Sequence, residues 1–341
     1  MLEYKFNKEV KIGLRKIKNL NKPFIISEIG NNHNQNFAYL KKMVDHSVKN
    51  KCEAVKFQLY KAEDLVNKND RNYKIFKANE LNHNWVKKIK DYCSKKKILP
   101  FFSLFNHKDV KFLEKYNFFA YKIASSELLN FDLLEAVAKT KKIIFISAGM
   151  SDEVDIIQAL NFLNEKGAKN VVLLLCYSLY PQSLEKCNLN ILDKWRKIFS
   201  DMPIGFSDHT KSVYTPSFAV SKGASVIEKH FTLNNNLKGP DHKTSLNPND
   251  FSKMTKLIDL SFIANGSCVK ELDPLEKKFG RRNGLYFKDN ISKGSRLTID
   301  KIKIAQPRLG LSPSSIEIVL NRKLNKSAKK NKPISLNYFK S

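Results

Sequence analysis

Between residues 24 and 264 the chain repeats one pattern eight times: a short, nearly continuous apolar run followed by a longer segment of helical periodicity. The runs span 24–30, 54–60, 98–105, 120–127, 142–149, 171–178, 204–210 and 225–232. The segments 37–51, 80–97, 108–115, 131–140, 153–166, 184–199 and 213–223 read as helices, and 249–264 follows the last run. A strand that is apolar at consecutive positions, rather than alternate ones, is buried on both faces. Strands separated by helices pair in parallel, because each return to the sheet needs a crossover. Eight such units in about 240 residues predict a (β/α)8 TIM barrel. An open doubly wound sheet fits less well, since no glycine-rich phosphate fingerprint follows the first run.

A barrel of this kind carries its chemistry where the strands end. The first run ends at Glu28, ahead of Asn31, Asn32 and His33, and the second carries Lys56 and Gln58, two apart and so on one side of a strand. The third offers Ser103; the fourth carries Lys122 and runs into Ser125, Ser126 and Glu127. Ser147, Tyr177, Ser178 and Tyr180 follow, then Ser207, Asp208, His209, Glu228, Lys229 and His230. A lysine inside an apolar strand is costly unless paired, so Lys56 and Lys122 call for facing carboxylates (Glu28, Glu127, Glu228) or an anionic ligand. His209 and His230 fall at matching ends of consecutive runs, and two imidazoles that converge can hold a divalent metal.

The net charge of +28 raises the question of an anionic partner. No stretch interleaves basic and aromatic residues as a single-strand platform does, and no helix-turn-helix or zinc-finger pattern is present, so nucleic acid is not expected. No apolar run is long enough for a membrane span. The polar first ten residues lack a secretory core. Five cysteines, odd in number and widely spaced, predict neither a disulfide framework nor a zinc knuckle. A cytoplasmic protein is the expectation.

Residues 1–23 alternate weakly and read as an arm or hairpin, 24–265 as the barrel, and 266–280 as a charged linker. Residues 281–341 hold 15 Lys/Arg against 3 Asp/Glu. Their apolar runs, 285–287, 302–304, 316–320 and 334–336, are short, which predicts a small, mostly β module.

Several tracts are those of a known family. They are Ser27-Glu28-Ile29-Gly30-Asn31-Asn32-His33-Asn34, Ala54-Val55-Lys56-Phe57-Gln58, Tyr121-Lys122-Ile123-Ala124-Ser125-Ser126-Glu127 and Ser147-Ala148-Gly149-Met150. Gly205-Phe206-Ser207-Asp208-His209-Thr210, Glu228-Lys229-His230-Phe231-Thr232 and Gly239-Pro240-Asp241-His242-Lys243 complete the set. In these the chain resembles the sialic acid synthase family, which condenses phosphoenolpyruvate with an N-acyl-mannosamine-type sugar, and its last 61 residues resemble that family's antifreeze-like (SAF) domain.

The resemblance implies a metal-dependent transferase that makes N-acetylneuraminate and phosphate from phosphoenolpyruvate and N-acetylmannosamine. Legionaminic acid or another bacterial nonulosonic acid is the alternative product, and a catalytically inactive basic scaffold is the alternative of another class. The resemblance further implies that His209 and His230 hold manganese or magnesium, which polarises the sugar aldehyde. Glu28 would orient the sugar or move a proton, and Glu127 would assist proton transfer. Lys56, Lys122, Ser125 and Ser147 would surround the carboxylate and phosphate, with Gln58 beside them. Tyr180 and Asp241 would bind sugar hydroxyls. A homodimer is implied, each SAF domain over the partner's active site. The chain departs from the family pattern at Leu104, Ala148 and Leu175, and Gln306 holds the slot of the family's SAF arginine, with Arg308 two residues on.

Overall fold

The computed structural model describes residues 4–279 and 281–339. The chain forms two compact units, Met1–Gly266 and Ser267–Ser341.

The first unit opens with an antiparallel hairpin, β1 (Glu9–Ile12) and β2 (Arg15–Lys18). Eight parallel strands follow: β3 (Phe24–Gly30), β4 (Ala54–Leu59), β5 (Leu99–Leu104), β6 (Ala120–Ile123), β7 (Ile143–Ser147), β8 (Val171–Cys176), β9 (Ile204–Asp208) and β10 (Val226–His230). They close into a barrel in sequence order, β10 pairing back onto β3 with His230 opposite Glu28. The helices are α1 (Phe37–Lys49), α2 (Ala62–Leu65), α3 (Tyr73–Asn79), α4 (Trp85–Lys96), α5 (His107–Glu114), α6 (Phe131–Lys139), α7 (Glu153–Glu165), α8 (Asn190–Ile198), α9 (Thr215–Ser221) and α10 (Pro248–Asn265). None of the described helices is long and apolar enough to cross a membrane.

Strand side chains alternate between two faces, and the barrel sorts them into two apolar clusters. Phe24, Ile26, Ala54, Phe101, Ala120, Phe145, Val172, Leu174 and Val226 fill the interior, joined by Val10 and Ile17 of the hairpin. Ile25, Val55, Phe57, Phe102, Tyr121, Ile144, Leu173 and Phe206 pack outward with the helix residues. The interior is tight enough to require a glycine at 205, where a Cβ would lie 2.6 Å from Leu174 Cδ2 and 2.7 Å from the Val226 Cβ. Every strand residue later assigned to the site continues the interior parity: Glu28 after Phe24 and Ile26, Lys56 after Ala54, Lys122 after Ala120, His230 after Val226 and Glu228.

Asp208 and Lys229 have the opposite parity. They form an ion pair of 2.7 Å with both side chains fully buried, and Lys229 also donates to the carbonyl and the hydroxyl of Thr210. Removing one partner strands the other charge in the wall between barrel and helices. Asp208→Ala is therefore expected to destabilise the fold by about 3–5 kcal/mol. The double replacement Asp208→Leu/Lys229→Met should recover most of that loss. Denaturant titration of the three variants checks both.

The second unit contains α11 (Pro274–Phe279), an antiparallel pair β11 (Gly284–Phe287) and β12 (Ile302–Ala305), and the short helix α12 (Ile316–Val319). Leu285, Phe287, Ile291, Leu297, Val319, Leu324, Ala328, Ile334 and Phe339 form its own core. Isolated bridges such as Ile291↔Ala328 and Arg296↔Lys323 tie its loops together. The unit is a small β module, although residues 316–320, read as an apolar run, form a helical turn.

Candidate active site

The polar residues of the interior face meet at the C-terminal mouth of the barrel, directly above the apolar layer. Lys56 on β4 donates to Ser103 on β5 at 2.7 Å, pairs with Glu28 on β3 at 2.8 Å, and lies 3.7 Å from Glu228 on β10. Gln58 donates to the second Glu28 oxygen at 3.1 Å and accepts from Asn31 at 3.1 Å. Ser207 on β9 donates to Glu228 at 2.9 Å. Lys122 on β6 donates to Ser147 on β7 and to the Ile123 carbonyl. The Ser125 hydroxyl accepts from the Gly149 amide at 3.0 Å. A cavity of about 60 Å³ lies among these groups, His209, His230 and Tyr180.

The charges in this cavity do not balance. Lys56 has two carboxylate neighbours, whereas among the described residues no carboxylate lies within ion-pair distance of Lys122. Burial pushes the Glu28 carboxyl up to about 7, against the pull of Lys56. Burial would also raise Glu228, but Lys56 and Lys122 outweigh it and hold that carboxyl below its usual range. Burial lowers the Lys122 ammonium, with Lys56 adding to the effect. Two ammonium groups thus face Glu228, which stays ionised, and Glu28, which is only partly ionised near neutral pH, so part of the buried positive charge has no counter-charge. An anion in the cavity would remove that cost.

His209 and His230 stand beside this charge cluster with ring centroids 5.4 Å apart. His209 Nδ1 is 2.8 Å from the Tyr177 carbonyl, to which it donates, so in the neutral ring Nε2 carries the lone pair; the Tyr180 hydroxyl lies 3.2 Å from it. His230 Nδ1 is buried without a hydrogen-bond partner, 3.9 Å from Asp241. Burial, with His209 and Lys56 nearby, holds His230 neutral. One imidazole fixed by a backbone carbonyl and one orphaned ring nitrogen suit a metal ion that takes further ligands from water or substrate. Among the described residues no group of three or more His, Cys, Asp or Glu side chains forms a closed cage.

Asp241 arrives from the β10–α10 loop, with burial pushing its carboxyl up to about 6. Of the residues singled out in the sequence, the structure thus gathers Glu28, Lys56, Gln58, Lys122, Ser125, Ser147, Tyr180, His209 and His230 around one cavity, with Asp241 beside His230. Glu127 is not among them. Strand β6 ends at Ile123, and the chain enters a tight turn in which the Glu127 oxygens accept from Ser126 at 3.0 Å and Asn130 at 2.7 Å. Asn130 in turn caps α6 through the Leu133 amide. Glu127 therefore does not counter Lys56 or Lys122; it braces a turn. Asp208 and Lys229, also read as rim residues, belong to the outer wall. Cys176 was missed: its thiol lies 3.6 Å from the Ser125 hydroxyl and 3.9 Å from His209 Nδ1. Its interior parity on β8 was the available signal.

His33, three residues past Gly30, is fully buried against Trp85 and accepts from the Gln35 amide at 3.2 Å. Burial lowers its pKa from 6.5 to about 4. The unfolded chain takes up a proton below 6.5 that the native ring refuses, so falling pH favours unfolding. The stability is complete above 6.5 and is lost progressively down to about 4, amounting to about 3 kcal/mol from this one residue. His33→Gln should flatten the pH dependence of unfolding in that window, as read by denaturation at neutral pH and near pH 4.

These groups form a polar cavity at the C-terminal mouth of a closed (β/α)8 barrel, the end at which barrel enzymes carry their chemistry. The chain belongs to the NeuB family, whose model matches residues 43–270; the motif tracts carry the same assignment. It is 32% identical to the pseudaminic acid synthase of Helicobacter pylori over 93% of this chain and 97% of that one. It is 30% identical to the N,N'-diacetyllegionaminic acid synthase of Campylobacter jejuni over 92% and 99%. The crystal structure of the N-acetylneuraminic acid (sialic acid) synthetase from Leptospira borgpetersenii, in complex with citrate, superposes with a TM-score of 0.76 at 30% identity, covering 80% of this chain and 95% of that one.

Proposed function

We propose that this protein condenses phosphoenolpyruvate with an N-acyl amino sugar to give a nonulosonic acid and inorganic phosphate. The observation that carries the reading is the buried surplus of positive charge at Lys56 and Lys122, set beside two histidines in a family of nonulosonic acid synthases. Phosphoenolpyruvate carries a phosphate and a carboxylate, and two lysines with Ser125 and Ser147 supply charged and neutral donors for both. N-acetylmannosamine is the proposed acceptor and N-acetylneuraminate the product; the similar identities to pseudaminic and legionaminic acid synthases support a 6-deoxy diacetamido sugar as the second candidate.

In the proposed reaction the enol carbon attacks the aldehyde carbon of the open-chain sugar, leaving positive charge on the adjacent carbon of the former enol. Water adds there, and the resulting tetrahedral species loses phosphate by C–O cleavage, so the bridging oxygen departs with phosphorus. Lys122, Ser147 and Ser125 bind the phosphate, and Lys56 the carboxylate. Glu28 shares a proton with its surroundings near neutral pH, which suits it to proton transfer at the developing sugar alkoxide. Tyr180 and Asp241 orient sugar hydroxyls. His209 and His230 would hold a divalent metal ion, which when bound would supply Lewis-acid polarisation of the aldehyde oxygen. A homodimer in which the C-terminal module, read as an SAF domain, caps the partner's barrel belongs to the same proposal; sedimentation as a monomer at micromolar concentration would count against it.

Phosphate release assayed against a panel of N-acyl amino sugars, with product mass determined, tests the reading. Release that needs both substrates supports it, and the product mass assigns the acceptor.

A further inference from the structure

Asp241 is the one proposed sugar ligand that no barrel strand carries. It sits on the loop between β10 and α10, and a loop holds a side chain only as well as the loop itself is held. The next residue, His242, is fully buried. Its Nδ1 lies 2.7 Å from the Thr232 hydroxyl and its Nε2 lies 3.0 Å from Asn34 Oδ1. Asn34 gives its own amide to the Lys238 carbonyl at 3.2 Å, which leaves Oδ1 facing the ring. Nε2 therefore donates to Asn34, and Nδ1 is held against the Thr232 hydroxyl, which also reaches the Asn234 carbonyl at 3.1 Å. Thr232 lies two residues beyond His230, and Asn34 three beyond Asn31. The ring thus joins the loop that bears Asp241 to the segments that leave β10 and β3, the paired strands that carry His230 and Glu28. On its far side the ring is packed against Gly239, where a Cβ would lie 2.7 Å from His242 Cδ2. Gly239 also has φ +156, which disfavours a side chain there independently.

We propose that His242 is a positioning residue for the acceptor sugar: it fixes the Asp241 carboxylate relative to Glu28 and His230 without touching substrate. The inference rests on the proposed role of Asp241 in the condensation. It makes the two halves of the reaction separable, since the proposed phosphate ligands Lys122, Ser125 and Ser147 lie on β6, β7 and the turn after β6, away from this loop.

The test is steady-state kinetics on His242→Ala, Asn34→Ala and Gly239→Ala in the metal-loaded full chain, each with its melting temperature. A misplacement on the order of 1 Å costs about 10²-fold. Each variant is therefore expected to raise the acceptor KM by about 10–100-fold while the phosphoenolpyruvate KM stays within about twofold. In an Asp241→Ala background, His242→Ala should add almost nothing, because it acts through the missing carboxylate. His242→Gln, which keeps a donor toward Asn34, should recover part of the acceptor KM. Equal losses toward both substrates, or losses that multiply with Asp241→Ala, would overturn the assignment; if His242→Ala does not fold, Asn34→Ala and Gly239→Ala decide it. Absence of turnover by the wild-type chain with every acceptor overturns the condensation reading instead.

Discussion

Lys122→Met is expected to lower kcat/KM for phosphoenolpyruvate by about 10³-fold or more while making the substrate-free protein more stable. The two effects have one cause. Lys122 is buried at the end of β6, and its donors go to the Ser147 hydroxyl and the Ile123 carbonyl, with no carboxylate at ion-pair distance among the described residues. The folded protein carries the desolvation cost of that charge until an anion arrives. Methionine fills a similar volume with no charge, so the substrate-free fold should gain about 1–3 kcal/mol. The same change would leave the departing phosphate without its buried cation. Lys56→Met should lose activity as well but gain little stability, because Glu28 and Glu228 would be left without their partner. A Lys122→Met protein that is both less active and less stable would show that the ammonium is structural.

His209→Ala and His230→Ala are each expected to reduce turnover by about 10³-fold or more, with the barrel still folded. His209 ends the interior face of β9 and His230 that of β10, and neither ring is part of an apolar cluster. His230 Nδ1 has no hydrogen bond to lose. Wild-type protein stripped with a chelator should be inactive and recover with manganese or magnesium, and isothermal titration should show one metal site per chain that each single variant abolishes. A His209→Ala enzyme that retains metal-independent activity would refute the metal assignment.

The strands were legible because a barrel strand is apolar on both faces, and the helices between them kept an amphipathic period. The stretch 61–80 was not: α2 and α3 are short and lie among lysines, asparagines and acids, where no period rises above the polar background. Within the site, parity decided what could be read. Lys56 and Gln58, or Glu228 and His230, share a face because they are two apart, and the same rule sends Asp208 and Lys229 to the outer wall. Glu127 escapes the rule, since it lies four residues beyond the end of β6, where alternation no longer applies. The Asp241 loop and the His242 brace depend on contacts across more than 200 positions, from Asn34 to His242, which no local pattern encodes. In the C-terminal module the runs 316–320 and 334–336 were too short to separate strand from helical turn.

The proposed role of the surplus charge at Lys56 and Lys122 is to receive phosphoenolpyruvate for condensation with an amino sugar. It is tested most directly with phosphoenolpyruvate labelled with ¹⁸O at the bridging position, incubated with manganese and an N-acyl amino sugar. Phosphate should appear only when the acceptor is present and should retain the label, and the sugar should gain three carbons. Phosphate released without acceptor, label left in the organic product, or no release with any acceptor in the panel would contradict it.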